Sequence, residues 1–354
     1  KIRLSLLDQE NAQVMKPLIH TIGKKDHGTI TLSQKIKNPK KWSAESPHLY
    51  TLTLELLAAD ATVLEAMATK TGFRKTEIID QAICVNGVPI KFNGVNSHVH
   101  HPETGRTMEV ETMRQDLILM KQFNVNCVRT SHYPPNIEYL QLADELGIYV
   151  IDEINDEAHA TEYLAKDSTW RAMYEDRAKR TVIRDRNHPS IVFWSAGNES
   201  GDGPNIAAVI ETGKKLDPSR PIWMYGGNFL KAPYEDVIGP RYPTHAELED
   251  IGAVSAKKDP RPSFMDEYLA ATGNSLGMLD EYWELIYKYP RLTGGAIWDW
   301  VSPGITQKVR LIRDDSENNI MTHFMGNVQL VNGRFGKAAA LSGHDEWVEM
   351  YRHP

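Results

Sequence analysis

Cysteine is nearly absent from this chain of 354 residues: only Cys84 and Cys127 occur, and no CxxC spacing exists. That excludes a disulfide framework. Both residues sit in apolar, strand-like stretches and are read as buried thiols. No apolar run reaches the roughly 18 residues of a membrane span, and no leader peptide is visible. The chain begins at Lys1 already inside a strand-like pattern, so the compartment stays open between cytoplasm and periplasm. Positive charge is in deficit, with 40 Lys+Arg against 47 Asp+Glu and a net charge of −7. With no dense basic stripe, this argues against a nucleic-acid partner. The charge itself reports solubility more than any partner. A GxSxG elbow, a P-loop and a Gly-rich dinucleotide turn with its matching acid are all missing, which removes three common chemistries.

What is present is an ordinary globular composition, 41% hydrophobic and 25% charged. It excludes a disordered or coiled-coil chain and supplies enough apolar residues for a full core. The length suggests about two or three domains. Residues 1–80 alternate apolar and polar positions, as in Leu49-Tyr50-Thr51-Leu52-Thr53-Leu54-Glu55-Leu56, between Gly, Asn and Pro clusters. That pattern predicts an all-β sandwich. Asn86-Gly87, set between Ile83-Cys84-Val85 and Val88-Pro89-Ile90, predicts a hairpin.

From residue 81 to 305 the rhythm becomes strand, helix, strand. Strands are expected at 91–95, 125–129, 149–151, 191–194, 222–225, 237–238, 262–265 and 295–298. Helices are expected at 109–123, 135–146, 170–186, 206–216 and 276–289. Eight strands in this alternation predict a (β/α)8 TIM barrel. Residues 306–354 return to short strands, a β tail that reads as the start of a truncated module.

In such a barrel, chemistry sits where strands end. The polar residues at those ends include His98, His100, His101, Arg129, His132, Asp152, Glu153, Glu157, His159, Asn198, Glu199, Tyr242, Glu267, Trp298 and Asp299. The set favours paired-carboxylate chemistry. Glu199 ends the strand leading through Gly197-Asn198, and Asp266-Glu267 ends the strand Phe264-Met265. Alternation places Asp266 and Glu267 on opposite faces, so one of them is expected in the mouth. A surface or helix-capping acid remains the plain alternative at each place. A pair about 5–5.5 Å apart supports retaining glycoside hydrolysis.

Several longer motifs carry a resemblance. Asn126-Cys127-Val128-Arg129-Thr130-Ser131-His132-Tyr133-Pro134 followed by Asp144-Glu145-Leu146-Gly147, and Arg184-Asp185-Arg186-Asn187-His188-Pro189 leading to Gly197-Asn198-Glu199, resemble glycoside hydrolase family two. His98-Val99-His100-His101-Pro102, Gly273-Asn274-Ser275-Leu276-Gly277, Tyr287-Lys288-Tyr289-Pro290-Arg291-Leu292 and Trp298-Asp299-Trp300 are similar to its bacterial lactose-cleaving β-galactosidase branch. The resemblance covers about residues 45–303. It implies an immunoglobulin-like sandwich before the barrel, Glu199 as general acid/base and Glu267 as nucleophile. It also implies sugar contacts from His98, His132, Tyr242 and Trp298, and from Asn198 to the sugar 2-hydroxyl. Glu157 and His159, with Glu199, resemble the family's magnesium site. The expected partner is a terminal β-galactoside, and a homo-oligomer is left open.

One departure stands out. The branch carries a histidine three residues after its nucleophile, where this chain has Ala270, so a wider or less polar pocket is expected there. No Asn-x-Lys-Gly motif follows the last strand, which weakens a β-glucuronidase reading. A non-catalytic carbohydrate-binding fragment and a hydrolase using Glu157, His159 and Glu199 through a metal remain as alternatives. Gly333-Arg334-Phe335-Gly336-Lys337-Ala338 and Gly343-His344-Asp345-Glu346-Trp347 resemble the opening of a laminin-G or concanavalin-like module.

Overall fold

The computed structural model describes residues 1–23, 28–227, 232–306, 310–313, 321–334 and 336–350. They group into two compact units, Lys1–His100 with Arg106–Pro303, and His101–Gly105 with Gly304–Pro354.

The first unit opens with β1 (Ile2–Leu7), β2 (Leu18–His20), β3 (Tyr50–Leu57) and β4 (Val63–Thr71). They form one antiparallel sheet in the order β2-β1-β3-β4. Leu54 lies opposite both Leu4 and Met67, so the period-two pattern becomes cross-strand pairs. Between β2 and β3, Lys41 and Trp42 pair through isolated bridges to Phe73 and Pro47.

A meander follows: β5 (Thr76–Ile79), β6 (Ala82–Val85) and β7 (Val88–Pro89). Asn86 and Gly87 turn it with φ of 55° and 82°, which asparagine tolerates and glycine, lacking a Cβ, adopts freely. Ile83 and Val85 pack in one apolar cluster with Phe92, Tyr149, Ile222 and Phe264. The meander thus seals the end of the barrel where the strands begin. Both cysteines are buried and free, as read from the sequence.

The barrel comprises β8 (Phe92–Ser97), α1 (Val110–Gln122), β9 (Cys127–Thr130), α2 (Ile137–Leu146), β10 (Tyr149–Glu153), α3 (Arg171–Asp185), β11 (Ile191–Asn198), α4 (Pro204–Leu216), β12 (Trp223–Gly226), α5 (His245–Gly252), β13 (Ser263–Tyr268), α6 (Leu279–Lys288) and β14 (Leu292–Ile297). Its parallel sheet runs β12-β11-β10-β9-β8-β14-β13, seven strands where the sequence predicts eight. The sixth is reduced to two isolated bridges, Ile238 to Ser263 and Arg241 to Glu267. Asp236 and Val237 donate their N–H groups to the Trp223 carbonyl, while Ile238 exchanges bonds with Pro262 and Phe264. Gly239-Pro240 follows at once, and proline has no N–H with which to extend a ladder.

Two helices correct the sequence reading. α6 starts at Leu279, not Leu276, because Leu276 and Met278 hold positive φ of 85° and 69°, which no right-handed helix accepts. α5 is not read from the sequence at all. Its signal was a capping box: the Thr244 side chain accepts from the Glu247 N–H while Glu247 reaches back to the Thr244 N–H.

The second unit holds β15 (Arg310–Arg313), β16 (Met321–Met325), β17 (Gln329–Asn332), β18 (Lys337–Ala340) and β19 (Trp347–Met350). They make a three-stranded sheet, β15-β16-β19, and the hairpin β17-β18. Within the expected module, Phe335 and residues 307–309, 314–320 and 351–354 lie outside the described residues. Among the described residues no helix is long and apolar enough to cross a membrane.

Trp42 ties the N-terminal segment to the barrel. It is fully buried, donates Nε1–H to the Asp144 carbonyl at 2.9 Å and sets its ring edge-on to Tyr149. Trp42→Ala is expected to lower stability by about 3–5 kcal/mol, read as a lower urea midpoint, with Trp42→Phe losing less.

Candidate active site

The mouth of the barrel is assembled from strand ends. β11 finishes in Gly197-Asn198, and Glu199 follows at once. Gly197 has φ 142°, and a Cβ there would stand 2.6 Å from the Asp156 Cβ, so only glycine fits. Glu199 itself holds φ 39°, fixed by its N–H bond to the Gly226 carbonyl at 2.8 Å. Such backbone strain clusters at functional sites. The carboxylate is thereby lifted to the mouth with about a third of its side chain exposed, 34%.

Glu267 stands on β13 and is 5% exposed. Its Oε1 lies 3.2 Å from Arg129 Nη1 and 3.1 Å from Arg241 Nη2, and its Oε2 accepts from the Tyr242 hydroxyl at 3.0 Å. Asp266 does not simply face away. It is fully buried, accepts the Glu267 N–H on Oδ1 at 3.0 Å and binds Arg241 through Oδ2 at 2.5 Å. Both acids therefore meet Arg241, because β13 pairs with β14 through two register shifts that loosen strict alternation.

Arg241 joins the two predicted carboxylates: its Nη1 is 2.9 Å from Glu199 Oε1 while Nη2 serves Glu267. The same Nη2 donates to Asn198 Oδ1. Arg129 Nη2 donates to that oxygen too, at 2.8 Å. Asn198 Nδ2 then donates to Glu157 Oε2 at 2.7 Å.

Arg129 has no exposed surface. Its Nε bonds Glu153 Oε2 at 2.7 Å and its Nη1 bonds Asn96 Oδ1 at 2.9 Å. Burial would raise the Glu153 carboxyl. The Arg129 charge and bonds from His132 and Ser195 outweigh it and hold the group at about 2. Asp266 goes the other way: burial dominates and pushes it up to about 6, despite Arg241 and Arg129. Burial, then the Glu267 charge, raises the Tyr242 phenol, so it stays a donor.

His98, His132 and Trp298 make one aromatic wall. Trp298 stacks on His132 at 5.3 Å with planes 7° apart, and His98 meets Trp298 edge-on at 5.2 Å. His132 is fixed through Nδ1 to Glu153 Oε1 at 2.8 Å. Burial, with the neighbouring His132 and Arg106 charges, lowers His98 to about 4, so it is neutral near pH 7.

The expected metal trio is only loosely gathered. His159 is exposed; its Nδ1 is 3.3 Å from Glu199 Oε2 and 3.9 Å from Glu157 Oε1. Among the described residues no set of three His, Cys, Asp or Glu closes on one point as a metal cage.

His98, His132, Glu157, His159, Asn198, Glu199, Tyr242, Glu267 and Trp298 thus lie at or beside the mouth. The sequence reading gave no part to Arg241 and no role to Arg129, Glu153 or Asp266. The only local signal for Arg241 is its place after a proline at a strand end, beside Tyr242.

Fold and site together define a barrel of the glycoside-hydrolase class, with two glutamates at the ends of the fourth and seventh strand positions bridged by one guanidinium. The chain belongs to family 2 of the glycosyl hydrolases: that family's TIM barrel domain matches residues 76–329, and the domain described as glycosyl hydrolases family 2 matches residues 1–74. It is 44% identical over 284 residues to a β-galactosidase of Vibrio vulnificus, covering 77% of this chain and 27% of that protein. It is 41% identical over 313 residues to a β-galactosidase of Pectobacterium atrosepticum, covering 85% and 29%. The chain thus spans under a third of these curated relatives. A solved family 2 hydrolase of Bacteroides cellulosilyticus superposes with a TM-score of 0.71 at 25% identity, over 84% of this chain and 39% of that one. A β-glucuronidase of Ruminococcus gnavus gives 0.68 at 24% identity, over 87% and 58%, a likeness of fold.

The Glu153 carboxyl sits below its ordinary 4.5 in the folded chain. Its stabilising effect is therefore full above about pH 4.5 and is lost as pH falls through about 2. Glu153→Gln is expected to be about 3 kcal/mol less stable at pH 7, with the gap to the parent narrowing across that window in acid unfolding.

Proposed function

We propose that this chain is the catalytic part of a retaining exo-β-glycosidase that removes terminal β-galactosyl residues. The observation that carries the reading is the bridging of Glu199 and Glu267 by one Arg241 guanidinium. One guanidinium touching both acids keeps them within reach of a single glycosidic bond, as paired-carboxylate hydrolysis requires, and the retaining course is part of the proposal. The galactosyl assignment is supported by the curated relatives named β-galactosidase.

In the proposed course Glu267 attacks the anomeric carbon while Glu199 gives its proton to the departing glycosidic oxygen. The glycosyl–Glu267 ester is then hydrolysed by a water from which Glu199 takes a proton back. Asn198 and the two histidines address sugar hydroxyls, Tyr242 steadies the nucleophile, and Trp298 offers its face to the apolar side of the ring. Ala270 presents only a methyl beside this wall; its neighbour Ala271 bonds the Trp298 carbonyl. Substituents at the sugar's C6 are therefore expected to be tolerated.

Magnesium belongs to the same proposal. Glu199 gives Oε1 to Arg241 and turns Oε2 toward His159, while Glu157 gives Oε2 to Asn198 and turns Oε1 the same way. Two carboxylate oxygens and an imidazole nitrogen fit a hard cation that keeps several waters. Glu157, His159 and Glu199 would hold it, and when bound it supplies positive charge beside the acid/base carboxylate.

A panel of aryl β-glycosides, including 6-substituted galactosides, tests the function. Turnover of galactosides is expected. Glu267→Gln removes it, and Glu199→Gln lowers it by about 10²–10⁴, least for the most acidic leaving groups. A 2-deoxy-2-fluorogalactoside is expected to label Glu267, read by peptide mass. Sugar binding without turnover, or equal failure on every glycoside, overturns the reading. For the metal, Mg²⁺ is expected to bind in calorimetry and His159→Ala to weaken it; no heat from the parent chain counts against the site.

A further inference from the structure

The side-chain amide of Asn198 is held in one orientation from two sides. Its Oδ1 faces Arg129 and Arg241, and an arginine only donates. Turning the amide over would set its N–H groups against two guanidiniums. Each arginine is anchored by its own buried carboxylate, Arg129 by Glu153 at 2.6 Å and Arg241 by Asp266 at 2.5 Å. With the carbonyl side committed to cations, Asn198 presents only N–H, and one of these already meets Glu157.

We propose that Arg241 is a positioning residue that, together with Arg129, fixes Asn198 as a pure donor, so that the site recognises a sugar hydroxyl at C2 as a hydrogen-bond acceptor and discriminates against glycosides lacking it. The inference rests on the reading of Asn198 as the partner of the 2-hydroxyl. It assigns Arg241 a share in substrate choice separate from its contact with the two glutamates. Lysine could not replace it. A point charge on a flexible stem lacks the fork that reaches Glu199, Glu267, Asp266 and Asn198 together.

The test is a substrate-by-variant cycle: kcat/KM for an aryl β-galactoside and its 2-deoxy counterpart, in the parent chain, Arg241→Met, Arg241→Lys and Asn198→Ala. The parent is expected to favour the 2-hydroxy substrate. In Arg241→Met and Arg241→Lys that preference is expected to shrink by about tenfold, approaching the value left in Asn198→Ala, because turnover of the 2-deoxy substrate falls less. Removing Arg241 strands the buried Asp266, so Arg241→Met/Asp266→Asn supplies a neutral pair that keeps the fold and is expected to show the same shrinkage. Turnover that falls equally on both substrates, leaving the ratio unmoved, overturns the assignment while leaving the functional reading standing. Absence of turnover in the parent chain overturns both.

Discussion

Everything at the mouth of this barrel depends on a guanidinium with no access to water. A buried cation is tolerated only when its charge is matched and its N–H groups are met. Arg129 satisfies this with side chains from Asn96, Glu153, Asn198 and Glu267. Those residues belong to β8, β10, β11 and β13, so the network has a solution only when the strands stand in their observed register. Barrel closure and the placing of the two glutamates are thus one event. His132 and Ser195 share Glu153 with the arginine, which extends the same constraint to the aromatic wall.

The weakest part of the sheet supplies the least expected residue. A full sixth strand would carry its ladder past residue 239 and bury the segment that follows. Because Gly239-Pro240 interrupts the pairing, the chain turns over the mouth. Arg241 bridges to Glu267, and Tyr242 donates its N–H to the Glu267 carbonyl. Tyr242 takes φ 44° in making that turn. The shortened strand and the arginine between the two acids are therefore two consequences of one dipeptide.

What the sequence made legible follows from the range of the forces involved. The barrel helices announce themselves through apolar spacing within each segment. The Asn86-Gly87 hairpin does so through turn chemistry, and Glu199 through the need for glycine before it. These are local constraints, readable in a window of a few residues. Arg241 and the office of Arg129 are invisible on those terms, since their partners lie 43 and 69 residues away for Asn198 alone. The start of α6 is hidden for a different reason. Apolar spacing continues through Leu276 to Leu279, but left-handed backbone at Leu276 and Met278 overrides it. α5 is legible in principle, since Thr244 and Glu247 spell its cap, but its apolar stripe is too short to mark a helix.

The two glutamates end in different surroundings, and the difference matches the work proposed for each. Glu267 is buried with both oxygens engaged, Oε1 by two arginines and Oε2 by a phenol. A nucleophile gains from being fixed, because the entropy of orienting it is then spent in folding rather than in the reaction. Glu199 is bound through one oxygen to Arg241, while the other faces His159 on the exposed side. A group that must first meet a departing oxygen and then an arriving water needs that open side. The strained backbone at residue 199 fixes where the carboxylate emerges, and its partial exposure leaves the freedom to serve both steps.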